Sequence, residues 1–225
     1  MTEWGNTERT LGRLIDSGRL EVFAGMPHFQ GRHIICRDSP VDKGVYLGGG
    51  QREAVVVDSE KYPALKELYN KAKQKATLIG VVQKDLILDS VYETVSEAMS
   101  GSEADVEDFI FQLNIAKDKK VTLDMFIEQG IGLCRHQALA CAAILELFKK
   151  DGIIRGRASV DRNYVENWGS HSWCRYTNSL GYIYILDAAL KNIGLIDDVS
   201  GPPEKGKWPY KRPGECKSTF SRTLH

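Results

Sequence analysis

The spacing of apolar residues changes character about a third of the way along the chain. Up to Ala76 it is mixed. Leu11, Leu14 and Ile15 recur at helical spacing, with Gly18 as the stop. Residues 19–23, 33–37, 45–47 and 54–57 are short strand-like runs punctuated by Gly and Pro. Pro63 suits a first helical turn, where its missing N–H has no intrahelical partner to lose, and Leu65, Leu68, Tyr69 and Ala72 then form one stripe. Residues 1–76 therefore predict a small α+β appendage.

From residue 77 the helical period takes over. Leu88, Val91, Tyr92, Val95 and Met99 line one face, and Val106, Phe109, Ile110 and Leu113 line a second. Ser102-Glu103-Ala104-Asp105 opens that second helix with a capping box. Thr122 is placed to cap a short helix holding Leu123, Phe126 and Ile127. Gly130-Ile131-Gly132 then breaks the chain, and a new helix starts at Cys134. It is apolar nearly all round over residues 138–148, which predicts a buried central helix. Ala138, Ala142 and Ala143 leave room for a sheet to come close. Asp151-Gly152 ends it. Strands follow over residues 170–176 and 182–186, joined by Asn178-Ser179-Leu180-Gly181. Residues 201–225, rich in Pro, Gly and Lys, read as a tail or linker. The expected architecture is α+β: the appendage, a core over 77–200 with a central helix on an antiparallel sheet, and the tail.

Composition narrows the function classes. The 225 residues include 42% hydrophobic and 27% charged residues, a globular balance. Thirty Lys and Arg match thirty Asp and Glu, so net charge gives no argument for a nucleic-acid partner or an anionic membrane. No run approaches the ~20 apolar residues of a membrane span; the longest, residues 138–148, is interrupted by Glu146. Met1 to Asn6 lack a signal-peptide core. The five cysteines are scattered without framework spacing, which predicts reduced thiols and a cytoplasmic, reducing compartment. A bacterial protein delivered into a host cytosol would show the same usage.

Chemistry concentrates in three residues. Cys134 follows two glycines and opens a long helix. There the positive end of the helix dipole and unpaired N–H groups favour the thiolate. Position alone leaves a buried structural cysteine as the commoner alternative. His171 begins a strand in Gly169-Ser170-His171-Ser172-Trp173, and side-chain alternation puts Trp173 on its face and Cys174 on the other. Trp173 is thereby the expected substrate-binding side chain. Asp187 ends the apolar run Tyr182-Ile183-Tyr184-Ile185-Leu186, where an acid needs a partner. A three-residue loop over 178–180 pairs Thr177 with Gly181 and sets His171 opposite Asp187. A loop that includes Gly181 slips the parity and parts them, leaving Asp197 or Asp198 as the acid. His136 lies two positions from Cys134 and faces away from it. His28, His33 and Cys36 lack a fourth metal ligand with sensible spacing. Cys141 reads as core, the lysines of residues 61–75 as a solvated face, and Gly48-Gly49-Gly50 as a turn without the Lys-Ser/Thr of a phosphate loop.

Gly132-Leu133-Cys134-Arg135-His136-Gln137-Ala138, His171-Ser172-Trp173 and Gly181-Tyr182-Ile183-Tyr184-Ile185-Leu186-Asp187 together resemble the transglutaminase-like superfamily over about residues 86–196. That group has a Gly-x-Cys-Arg-x-x-Ala helix start, a His-x-Trp strand and an acid closing the next strand. Gly156-Arg157-Ala158 is similar to the family's intervening strand. The resemblance implies a papain-like core with Cys134 as nucleophile, His171 as base and Asp187 holding the imidazole tautomer. It implies an oxyanion hole from the Cys134 N–H and one side-chain donor, and no metal or organic cofactor. The substrate would be a protein amide, with crosslinking or glutamine deamidation through a thioester as the first expectation. A cysteine protease or amidase with the same triad, and a non-catalytic binding module, are the alternatives. Bacterial effectors also use this core.

Overall fold

A computed structural model of the chain describes residues 1–48, 53–115 and 119–215. The order begins β1 (Thr2–Glu3), α1 (Asn6–Asp16), β2 (Glu21–Phe23), β3 (Met26–Phe29), β4 (Arg32–His33), β5 (Val45–Leu47), β6 (Ala54–Val56) and α2 (Pro63–Lys75). It continues with β7 (Thr77–Leu78), β8 (Val81–Val82), α3 (Ile87–Ala98), α4 (Glu103–Gln112), β9 (Lys120–Thr122) and α5 (Leu123–Gln129). Last come α6 (Cys134–Lys150), β10 (Gly156–Val165), β11 (Gly169–Asn178), β12 (Ile183–Asp187), β13 (Asn192–Leu195) and α7 (Ile196–Val199). The fold is mixed α+β, with its largest sheet antiparallel in the order β1-β10-β11-β12-β13.

Helix α6 is the centre of the molecule. Every residue from Arg135 to Leu145 is buried. It packs against β10, β11 and β12 and also against α2, α3 and α5. The alanines expected to admit a sheet, Ala138, Ala142 and Ala143, are in the main core with Val160, Cys174 and Leu186 of the strands. Glu146, the charge that interrupts the apolar run, accepts the N–H groups of Val41 and Asp42, both at 2.8 Å. That double hydrogen bond offsets part of the desolvation cost, and burial still raises the Glu146 pKa. The capping box of α4 forms as expected: Ser102 Oγ accepts the Asp105 N–H, and Asp105 Oδ2 accepts the Ser102 N–H. Thr122 takes the N-cap position of α5 but makes no side-chain capping bond.

Two boundaries differ from expectation. Residues 1–76 are not an appendage. Strand β1 pairs with β10 at the edge of the main sheet, β6 pairs in parallel with β9, and Val41, Tyr46, Val55, Leu65 and Leu68 share the core of α6. The segment keeps a small cluster of its own around Leu14, Phe29, Val45 and Val56. Residues 201–215 are not a loose tail: Trp208 and Tyr210 are buried against Trp173 and Ile185. Arg212 pairs with Asp161 and Asp38, and Glu215 pairs with Arg175. The remainder of that expected tail, and Gly49 and Gly50 of the expected turn, lie outside the described residues.

Candidate active site

The approach to Cys134 is held by backbone hydrogen bonds. Gly130 closes α5 in the left-handed region, φ +69°, where glycine carries no Cβ penalty. Ser100 N–H then donates to Gly130 C=O, and Gly132 N–H donates to Ser100 C=O, at 3.1 and 3.0 Å. Leu133 N–H donates to His136 Nδ1 at 3.1 Å, so His136 carries its proton on Nε2 and gives it to Glu53, 3.2 Å away. Arg135 also bonds Glu53, at 2.6 Å, and the His136 ring stacks on Phe126. Arg135, His136 and Glu53 thus brace the first turn of α6 and set the place of the thiol. His136 does face away from Cys134, but as part of this brace.

On the sheet, β10 and β11 pair so that Asn163 lies opposite His171. Strand β12 pairs with β11 through Cys174↔Leu186 and Thr177↔Ile183, a register that sets Trp173 opposite Asp187. This is two residues away from the expected pairing of Thr177 with Gly181. The ladder continues with Asn178 N–H to Tyr182 C=O, which leaves Ser179, Leu180 and Gly181 as the turn, with Gly181 at φ +83°. The turn includes Gly181, the case expected to part the two residues, but it starts at Ser179 and so still has three residues, and the parity that puts His171 and Asp187 on one face survives. The two are diagonal neighbours, within reach of an imidazole. His171 Nε2 donates to Asp187 Oδ2 at 2.5 Å. Asp187 Oδ2 also accepts the Tyr210 hydroxyl at 2.7 Å, and Oδ1 accepts the Leu190 N–H at 3.1 Å.

Cys134 is half-buried, and His171 is the side chain that does most to lower its pKa. Asp187 takes Nε2, which leaves Nδ1 as the ring nitrogen available to the thiol. Burial opposes the thiolate, yet the hydrogen bond and charge of His171, the Ser172 N–H and the charge of Arg135 outweigh it and lower the Cys134 pKa. Burial likewise opposes the imidazolium, and the hydrogen bonds and charges of Asp187 and Cys134 push His171 up to about 10. Both shifts favour the thiolate–imidazolium form of the pair. Cys141 and Cys174 are fully buried and burial raises both thiols. Cys36 is raised for the same reason.

Trp173 departs from its expected role. It has no exposed surface, stacks on His171 at 6.0 Å, and is edge-on to Trp4 and Tyr210. It supports the imidazole from beneath and does not line a surface that a substrate reaches. Trp208, at 4.9 Å from His171, covers another side of that ring. Tyr210, Trp208 and Glu53 are the site residues that sequence reasoning missed. The available signal for the first two was a pair of aromatics in a Pro/Lys-rich segment.

Comparison with models of known protein families, with curated proteins and with solved structures finds no match. Among the described residues, no group of three or more His, Cys, Asp and Glu side chains is arranged to hold a metal ion. His28 and His33 face each other across β3 and β4 without forming such a set. Among the described residues, no helix is long and apolar enough to cross a membrane.

Proposed function

We propose that the chain is a transglutaminase-like thiol enzyme with a papain-like core, acting on a protein amide through a thioester. The observation that carries the reading is His171 bonded to a buried carboxylate and lowering the pKa of a helix-start thiol. The support from the fold is a buried helix, packed on antiparallel strands, whose first residue is the thiol.

In this reading the Cys134 thiolate attacks the carboxamide carbon of a glutamine side chain. The developing oxyanion is met by the Cys134 N–H, which has no acceptor within α6 because it lies in the first turn. His171 gives its proton to the leaving nitrogen, and ammonia departs as the thioester forms. An amine or water then attacks the thioester, His171 takes its proton, and the thiolate is restored. Asp187 keeps the imidazole in one tautomer and stabilises its charged form. Residues of this chain suffice for every proton transfer in the cycle.

The test is the intact mass of a glutamine-containing protein after incubation with the enzyme and a primary amine. Transfer adds the amine and loses ammonia, and deamidation turns the amide into an acid. Cut chains would favour backbone proteolysis by the same triad. An unchanged mass with every amide and amine tried would count against turnover.

A further inference from the structure

Asp187 is held by a residue from outside the sheet. Tyr210 is fully buried, edge-on to Trp173 at 5.1 Å, and donates to Asp187 Oδ2, the oxygen that also takes the imidazole N–H. Asn192 Nδ2 donates to the phenol oxygen at 3.0 Å, which occupies its acceptor side and leaves its single proton for the carboxylate. The segment that delivers Tyr210 is itself anchored. Trp208 Nε1 donates to Asn163 Oδ1 at 2.7 Å, and Asn163 Nδ2 donates to Pro209 C=O at 3.0 Å. Beyond it, Arg212 lies between Asp161 and Asp38, and Arg175 grips Glu215.

We propose that Tyr210 is a positioning residue of the thiol site, fixing the rotation of the Asp187 carboxylate so that Oδ2 stays in line with the imidazole. The inference rests on the Cys134–His171–Asp187 reading. Without the phenol proton, Leu190 N–H still holds Oδ1, but Oδ2 loses the second donor that sets its direction. The imidazolium then loses part of its stabilisation, and the thiolate paired with it loses the same. The other titratable groups around the pair are Arg135 and Cys141 on α6 and Tyr92 on α3, and the substitution leaves them in place.

The experiment is the pH dependence of Cys134 alkylation by iodoacetamide, located by peptide mapping, in the full chain and in Tyr210→Phe. It needs no knowledge of the substrate. Expected are two inflections drawn together. The acid one, where the thiolate forms, rises, and the alkaline one, where the imidazolium loses its proton and thiolate reactivity changes, falls. Each moves by about one pH unit, the size of a lost hydrogen bond to a charged group. Unmoved inflections in a variant with wild-type near-ultraviolet dichroism overturn the proposal. So does an alkaline inflection that rises, since Tyr210 would then temper the carboxylate's charge and not its direction. If wild-type Cys134 titrates like an ordinary thiol, the site reading itself fails and the proposal with it. Should Tyr210→Phe not fold, Asn192→Ala keeps the phenol but frees its hydroxyl to turn. Both inflections should then move the same way by less, and no movement overturns the proposal.

Discussion

Glu53→Gln should cost the fold about as much as any single polar change, and the cost should vanish in acid. Glu53 is 4% exposed and meets Arg135 and His136 at the start of α6. Burial opposes its charged form, but the His136 hydrogen bond and the charge of Arg135 outweigh it and hold the carboxyl at about 2, against 4.5 for an ordinary Glu. A carboxyl with a depressed folded pKa contributes stability that is fully present above the unfolded value and is lost as pH falls through the folded one. At ~1.36 kcal/mol per pH unit the contribution is about 3 kcal/mol near neutrality. It fades between pH 4.5 and about 2. Urea titrations of wild type and Glu53→Gln at several pH values measure it. The gap in unfolding free energy should be about 3 kcal/mol at neutral pH and should close across that acid window. A gap that stays constant into strong acid would show that shape, not charge, makes the brace. No gap at neutral pH would show that Arg135 is satisfied without Glu53.

Other outcomes follow from the same geometry. With a substrate in hand, Cys134→Ala and His171→Ala should each lower turnover by at least about a hundredfold, and the double variant should be no worse than either, because the two act as a unit. Asp187→Asn should retain some turnover, since nucleophile and base remain, and additive losses in the double variant would contradict the pairing. Gly156 and Gly181 both have positive φ, +154° and +83°. A Cβ on Gly181 meets open space, so Gly181→Ala should cost only about 1 kcal/mol of left-handed strain. A Cβ on Gly156 would clash with the Thr177 carbonyl oxygen, which is backbone and cannot move aside, so Gly156→Ala should cost more than about 2 kcal/mol in the same urea titration. Equal costs would refute the clash.

The parts legible in the sequence were those with a strong period. The apolar run of α6 announced a buried helix, and alternation in β11 put His171 and Trp173 on one face and Cys174 in the core. Parity around the hairpin was legible as well, because it depends only on whether the turn is odd. The register was not, because it depends on Asn178 Oδ1 accepting the Leu180 and Tyr182 N–H groups, which moves the turn one residue along. Strand β1 was invisible: Thr2 and Glu3 are polar and exposed, and they join the sheet through backbone alone. Trp173 was misread because what covers it, Trp4 and Tyr210, comes from segments far away in sequence. Tyr210 was hidden by the Pro, Gly and Lys around it, residues that usually mark a linker. Glu53 stands at the edge of a short strand, and its partners on α6 are 82 and 83 positions away.

The central claim is that one thiol is set apart by a charged partner, and competitive labelling of the folded chain tests it most directly. Brief exposure to limiting iodoacetamide below neutral pH, followed by peptide mapping, ranks the cysteines by thiolate content. His171 and the start of α6 lower Cys134, while burial raises Cys36, Cys141 and Cys174. Cys134 should be labelled first, and His171→Ala should abolish its lead. Label on Cys36 or Cys216 with Cys134 untouched, or a lead that survives the loss of His171, would contradict the account.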